Sequence, residues 1–168
     1  MLFIALAISF LLVIADQIIK YFISVYLQPI GTVTVIKNVL NLTYVENRGV
    51  AFGMFSDMRW FFVAITSVMI LLIIFYLFKT KPKGKFIYIS SALIVGGGIG
   101  NLIDRIIYGY VIDYLSLSFF PPVCNFADYC ITAGVVMLMI YILFFSDVLK
   151  NNADKMNKSE CIGKNPDE

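Results

Sequence analysis

The chain has 168 residues, of which 60% are hydrophobic and only 14% are charged; a soluble domain carries about a quarter charged residues. This composition indicates a single membrane domain over residues 1–150, with a polar tail over 151–168. A net charge of +2 is too small to suggest a nucleic-acid partner. Histidine is absent, which excludes HExxH zinc sites and Ser-His-Asp triads, and we expect no metal or cofactor.

Four apolar stretches are long enough to cross a bilayer as helices, which takes about 20 residues. The first covers 1–27 and contains Asp16 and Lys20, whose spacing places them on one helix face. A structural ion pair or a polar cavity between helices would each explain these charges. The other spans are predicted at about 60–78, 86–106 and 127–145.

The segment between the first two spans alternates apolar and polar residues over about 32–53, for example in TVTVI and NLTYV. Alternation with a period of two predicts short strands. We expect a small sheet on the membrane surface, because open strand edges do not face lipid.

The loop between the second and third spans contains four lysines in residues 79–85. The positive-inside rule places this loop in the cytoplasm. Both termini are then predicted to be cytoplasmic, and the strands and residues 108–125 are predicted to face outward. Within the third span, Gly96 and Gly100 would allow another helix to approach closely.

A pair of aspartates, Asp113 and Asp128, brackets what we expect to be a short outward loop. Two carboxylates held close together share one proton; one then activates water while the other polarises a carbonyl. Such a pair is sufficient for peptide hydrolysis. Sequence spacing does not show that the two residues meet, and helix capping is the alternative role for each.

Three other functions are compatible with the residues alone. A serine–lysine protease would use Ser116 or Ser118 with a lysine of lowered pKa, but of the outward lysines, Lys20 already has Asp16 as a partner and only Lys37 remains. A proton- or ion-coupled transporter would use the same acids as a relay, although no inverted repeat is visible. In a membrane scaffold the aspartates would only cap helices.

Five ordered motifs extend over nearly the whole chain, and in them the chain resembles the lipoprotein signal peptidases, the type II signal peptidases of bacteria. The motifs are Asp16-Gln17-x-x-Lys20, Glu46-Asn47-x-Gly49-x-Ala51-Phe52, Gly100-Asn101-x-x-Asp104-Arg105, Val111-Ile112-Asp113-Tyr114, and Phe126-Ala127-Asp128 preceded by Asn125. Arg48 and Val50 occupy variable positions of the second motif and match no family role.

The resemblance implies an intramembrane aspartic endopeptidase that removes the signal peptide from diacylglyceryl-modified prolipoproteins, cleaving before the lipid-modified cysteine. Asp113 and Asp128 match the catalytic pair of the family. The supporting positions are matched by Asp16, Lys20, Asn47, Gly49, Asn101, Arg105 and Asn125.

The resemblance also implies where the enzyme works and what it meets. The expected location is the bacterial cytoplasmic membrane, with the active site toward the extracytoplasmic face and the strands as a cradle. Membrane lipids and globomycin-like peptide inhibitors are expected partners.

Overall fold

The computed structural model describes the backbone of residues 1–49 and 58–162, with side chains described as far as residue 144. Its helices are α1 (Leu2–Phe22), α2 (Arg59–Thr80), α3 (Lys85–Ile107) and α4 (Phe126–Ile162), and a π-helical turn, Ile23–Leu27, extends α1. Its strands are β1 (Thr32–Ile36), β2 (Leu40–Asn47), β3 (Val111–Leu117) and β4 (Phe120–Cys124).

Each of the four helices contains a stretch long and apolar enough to cross a membrane. These stretches are Leu2–Leu27, Arg59–Thr80, Lys85–Ile107 and Phe126–Phe144, and their ends lie within 2 residues of the predicted spans. The predicted fold class, a four-span helical membrane protein with a small sheet, is confirmed. Beyond its span α4 continues to Ile162, so the predicted polar tail begins as helix; residues 163–168 lie outside the described residues.

Helix α3 is the centre of the bundle: 56% of its apolar window is buried, against 11–22% for the other three helices. Glycines let its neighbours approach closely. A Cβ at Gly96 would lie 3.0 Å from the Ser9 carbonyl oxygen of α1, and a Cβ at Gly100 would lie 2.5 Å from Asp16. The predicted close approach is therefore confirmed, with α1 as the partner. On another side of α3, a Cβ at Gly97 would clash with the Ala127 carbonyl of α4.

The sheet has the order β1-β2-β3-β4 and is antiparallel throughout. Strands β1 and β2 lie in the predicted strand region. Strand β2 ends at Asn47, and residues 50–57, which include the end of that region and of the second motif, lie outside the described residues.

The predicted short loop after Asp113 is wrong, because Asp113 lies on β3 and β4 follows as the second strand of a hairpin. The first four residues of β3 are all buried, so its sequence lacks the alternation that marks a half-buried strand. Pro121 and Pro122 argue against a strand interior, but β4 is an edge strand, where a missing N–H is tolerated.

Candidate active site

The first turn of α4 carries Asp128 and is held by a reciprocal capping box. Asn125 Oδ1 accepts a hydrogen bond from the Asp128 N–H at 2.9 Å, and Asp128 Oδ2 accepts one from the Asn125 N–H at 3.1 Å. The Ala127 N–H donates to Asp16 Oδ1 of α1 at 3.2 Å. Asp128 therefore does cap a helix, and its second oxygen, Oδ1, remains for a further contact.

Asp113 lies on β3 with only 2% of its surface exposed. Its Oδ1 accepts a hydrogen bond from Asn125 Nδ2 at 2.6 Å, and its Oδ2 accepts one from Asn47 Nδ2 at 2.8 Å. The Gly49 N–H donates to Asn47 Oδ1 at 3.0 Å, which fixes the amide of Asn47 with its Nδ2 toward Asp113. Neutral amides from two elements thus hold this carboxylate.

Asn101 of α3 joins the two aspartates into one network. Its Nδ2 donates to Asp128 Oδ1 at 2.8 Å, and its Oδ1 accepts from Asn125 Nδ2 at 3.2 Å and from Lys20 Nζ at 3.0 Å. An ammonium group can only donate, so Lys20 determines which end of the Asn101 amide faces Asp128. Sequence spacing did not show that Asp113 and Asp128 meet, and in the structure the asparagine amides bring them into one network.

A buried ionic cluster lies next to this network. Lys20 Nζ is 2.9 Å from Asp16 Oδ2 and 2.8 Å from Asp104 Oδ2, and the three side chains are 0–2% exposed. With Asn101, the ammonium has three acceptors for its three hydrogens. Of the two explanations for Asp16 and Lys20, the structural ion pair is present. A lysine engaged in this way is unsuited to the general-base role that a serine–lysine protease requires.

Two residues of the matched motifs, Asp104 and Gln17, received no role from the sequence. Asp104 Oδ2 accepts the Ile112 N–H at 3.1 Å, which ties α3 to the start of β3. Gln17 Nε2 donates to Asp104 Oδ1 at 3.0 Å and to the Gly100 carbonyl at 3.2 Å. The sequence did hold an indication for Asp104. It is an ionisable residue in a predicted membrane span, and such a residue needs a partner.

A cavity of about 430 Å³ opens beside the network. Its polar wall includes Asn101, Arg105 and Asp128, and its apolar wall includes Phe62 and Gly98. The Arg105 guanidinium carbon lies 5.4 Å from the centre of the Phe62 ring, and its NH1 is 3.5 Å from the Asn101 carbonyl. No carboxylate in the described parts of the chain lies within 4.0 Å of Arg105, so the N–H groups that do not face the Asn101 carbonyl can donate to a molecule in the cavity.

The electrostatics of the site differ from those of an exposed carboxylate. Burial raises the pKa of Asp113, and the negative charge of Asp128 raises it further, to about 7, against the opposing effect of the Asn47 and Asn125 hydrogen bonds and of Lys20. Asp113 therefore keeps its proton at pH values below about 7.

Comparison with known proteins points to one group of enzymes. The family model described as signal peptidase (SPase) II matches residues 8–144. The lipoprotein signal peptidase of Caldanaerobacter subterraneus subsp. tengcongensis is 44% identical over 140 residues, which cover 83% of this chain and 96% of that protein. The lipoprotein signal peptidase of Clostridioides difficile is 38% identical over 136 residues, which cover 80% and 91%.

A solved structure shares the fold as well. It is a bacterial membrane enzyme solved by the in meso method at 1.9 Å, with a TM-score of 0.76, 32% identity, and coverage of 84% of this chain and 94% of that one. The two bacterial relatives are both signal peptidases by name and give no support to the transporter alternative.

Proposed function

The chain belongs to the signal peptidase II family, and on that premise we propose that Asp113 and Asp128 are the catalytic pair with which it cleaves lipoprotein precursors. It is an aspartic-type membrane peptidase of the lipoprotein signal peptidase type. The observation that carries the proposal is the amide network that joins the two carboxylates through Asn101 and Asn125 beside an open cavity.

The proposed reaction begins with one proton on the pair. Asp113 holds it, because its pKa is raised to about 7. Asp128, which lines the cavity, takes a proton from a water molecule as the water oxygen attacks the carbonyl carbon of the scissile peptide. Asp113 gives its proton to the carbonyl oxygen, which yields a neutral tetrahedral diol.

Collapse of this intermediate completes the cleavage. Asp128 returns its proton to the peptide nitrogen, the C–N bond breaks, and a hydroxyl proton of the diol returns to Asp113 as the new carboxyl group forms. The leaving amine is that of the lipid-modified cysteine. The pair regains its starting protonation without a metal, as general acid–base catalysis requires.

The cavity has a polar wall for the scissile peptide and an apolar wall for the signal helix of the substrate. Arg105 donates hydrogen bonds to substrate carbonyl oxygens beside the scissile bond, and the apolar wall with Phe62 and Gly98 accepts the signal helix from the lipid side. Substrates are diacylglyceryl-modified prolipoproteins, and a globomycin-like cyclic peptide would compete for the same space.

We further propose the membrane orientation given by the lysine loop. The side of the molecule that carries the sheet faces out of the bacterial cytoplasmic membrane, and both termini are cytoplasmic. Cleavage then takes place at the outer surface, where the polar site meets the apolar core of the bilayer.

The experiment is cleavage of a diacylglyceryl-modified prolipoprotein by the purified full chain in detergent. Asp113→Asn and Asp128→Asn each remove one acid–base group, and a loss of about 10²–10⁴-fold in kcat/KM is expected for such a group. Asp154→Asn, which changes a carboxylate of the tail beyond the family match, is the control and should cleave at the parent rate. Parent-like cleavage by either site variant would show that the pair is not catalytic.

A further inference from the structure

A second polar cavity, of about 320 Å³, lies beside the sheet, between the first residues of α2 and the residues that follow α3. Two arginines, three aromatic residues and one glycine line it: Arg48, Arg59, Trp60, Tyr108, Gly109 and Tyr110. No acidic residue of the described chain lines it. The proposed cleavage uses none of these residues.

Arg59 is held in place by neutral groups. Its NH2 donates to the Ile106 carbonyl at 2.8 Å, and its guanidinium carbon lies 4.8 Å from the centre of the Trp60 ring. Its Nε is buried and has no hydrogen-bond partner among the described residues, and none of their carboxylates lies within 4.0 Å of the side chain. The guanidinium is thus fixed in place, and the described residues leave the NH1 group that faces Gly109 for an anion.

Gly109 gives this guanidinium its room. It has a φ of +88°, and a Cβ there would stand 3.4 Å from Arg59 NH1. A side chain at this position would strain the backbone, and its Cβ would occupy the space beside the guanidinium at ordinary contact distance. The open space next to Arg59 NH1 therefore depends on the glycine.

Arg48 supplies the second positive charge. Its guanidinium carbon lies 5.7 Å from the centre of the Tyr110 ring, and its NH2 is 3.3 Å from Glu46 Oε2. The side chains of that pair are 60% and 34% exposed, so water weakens their attraction. Arg48 can turn one edge of its guanidinium toward a ligand while it keeps the contact with Glu46.

The position of the cavity across the thickness of the membrane indicates which kind of anion it can bind. Helix α2 has 22 residues and is therefore about 33 Å long, close to the roughly 30 Å of the hydrocarbon core. Arg59 and Trp60 begin this helix, and the cytoplasmic lysine loop follows its other end. Trp60 and Tyr108 are 68% and 52% exposed, as is usual for aromatic residues at headgroup level.

We propose that this cavity binds the phosphodiester headgroup of an anionic phospholipid in the outer leaflet. Arginine suits this ligand because its planar guanidinium pairs with two phosphate oxygens at once. The positive-inside tendency disfavours arginines on the outward side. A bound anionic headgroup would explain why Arg48 and Arg59 both lie there. Headgroup binding is separate from the peptidase activity, rests on the proposed membrane orientation, and is tested without substrate.

Trp60 makes the test direct, because it is the only tryptophan of the chain. The purified full chain in zwitterionic detergent is titrated with short-chain phosphatidylglycerol, with phosphatidylcholine or with inorganic phosphate, and tryptophan emission is recorded. We expect saturation only with phosphatidylglycerol. Arg48→Met and Arg59→Lys should each raise the half-saturating concentration about tenfold, the effect expected for one lost charge-assisted contact.

Lys37→Met is the matched control, because Lys37 is an exposed cation in the turn after β1 and its loss should leave the titration unchanged. Arg48 is exposed enough for its substitution to leave the fold intact, and the thermal midpoint of each variant checks this. The proposal is overturned by parent-like titration of both arginine variants, by an equal response to phosphatidylcholine, or by saturation with inorganic phosphate at the same concentrations.

Discussion

Two neighbouring groups of buried acids in this molecule are held by opposite means. Asp16 and Asp104 face the Lys20 ammonium at 2.9 and 2.8 Å, and all three side chains are almost fully buried. Asp113 and Asp128, by contrast, accept hydrogen bonds from asparagine amides and from one backbone N–H. The first group is stabilised by opposite charge and the second by neutral dipoles.

The difference explains why one group is structural and the other is suited to chemistry. Oxygens of Asp16 and Asp104 are occupied by the Lys20 ammonium in buried ion pairs. Neutral amides position a carboxylate and still allow it to hold a proton, as the raised pKa of Asp113 indicates. Lys20 contacts Asp16 and Asp104 directly, whereas the Asn101 amide lies between its ammonium and Asp128.

The largest effect on stability should come from Lys20→Met. It leaves Asp16 and Asp104 buried without their cation, and breaking a buried ion pair in this way removes about 3–5 kcal/mol from the free energy of unfolding. The thermal midpoint in detergent measures the loss. The triple variant Asp16→Asn, Lys20→Met, Asp104→Asn buries no charge and should recover part of it. A parent-like midpoint for Lys20→Met would mean that the cluster does not stabilise the fold.

Substitutions of Asn125 test whether its contribution to stability can be separated from its contribution to cleavage. Asn125→Ala removes the cap of α4, which is worth about 0.5–2 kcal/mol, and also removes the amide donor to Asp113. Asn125→Ser restores a capping oxygen without that donor. We therefore expect Asn125→Ser to regain most of the lost stability in thermal unfolding while cleavage stays well below the parent rate. Equal cleavage by parent and Asn125→Ser would exclude a catalytic contribution of the amide.

The pH dependence of cleavage should report the coupled aspartates. The reaction needs one proton on the pair, and because the pKa of Asp113 is raised to about 7, kcat/KM should fall as the pH rises through about 7. The Asn47 hydrogen bond lowers the pKa of Asp113. Asn47→Ala should therefore move this alkaline limb to higher pH, in addition to any loss of rate. A limb that stays in place would argue that Asp113 is not the group that titrates.

The smallest effect is expected at Gly98, which lines the cavity beside the proposed active site. A Cβ there would lie 3.4 Å from Ile70, an ordinary contact, so Gly98→Ala should change the free energy of unfolding by less than about 1 kcal/mol and raise KM by narrowing the cavity. At Gly100 a Cβ would lie 2.5 Å from Asp16 Oδ2. Gly100→Ala should therefore disturb the ionic cluster and lower the thermal midpoint more than Gly98→Ala does.

The spans and the first two strands could be predicted from the sequence because their patterns are local. Hydrophobic length marks a membrane helix, and alternation marks β1 and β2. Strand β3 has no such pattern, since the sheet and the bundle bury residues on both of its faces around Asp113. Burial on both faces follows from the tertiary structure and leaves no periodic signal.

The network of the site shows a second limit of the sequence. Motif matches named Asp113, Asp128 and Asn101, but the position of Asp104 follows from its ion pair with Lys20 across two helices. Spacing along one helix predicts neighbours on that helix and not partners on another. The role of Asp128 as a cap, an open alternative at the sequence level, proved compatible with its place in the amide network.

The hydrogen bond from the Ala127 N–H to Asp16 has a consequence for biosynthesis. It joins residues 111 positions apart, and the site around it takes side chains from α1, β2, α3, β3 and the start of α4. A nascent chain with three spans in the membrane holds only part of this site. The proposed site is therefore complete only when the first turn of α4, which carries Asp128, is in place against α1 and α3.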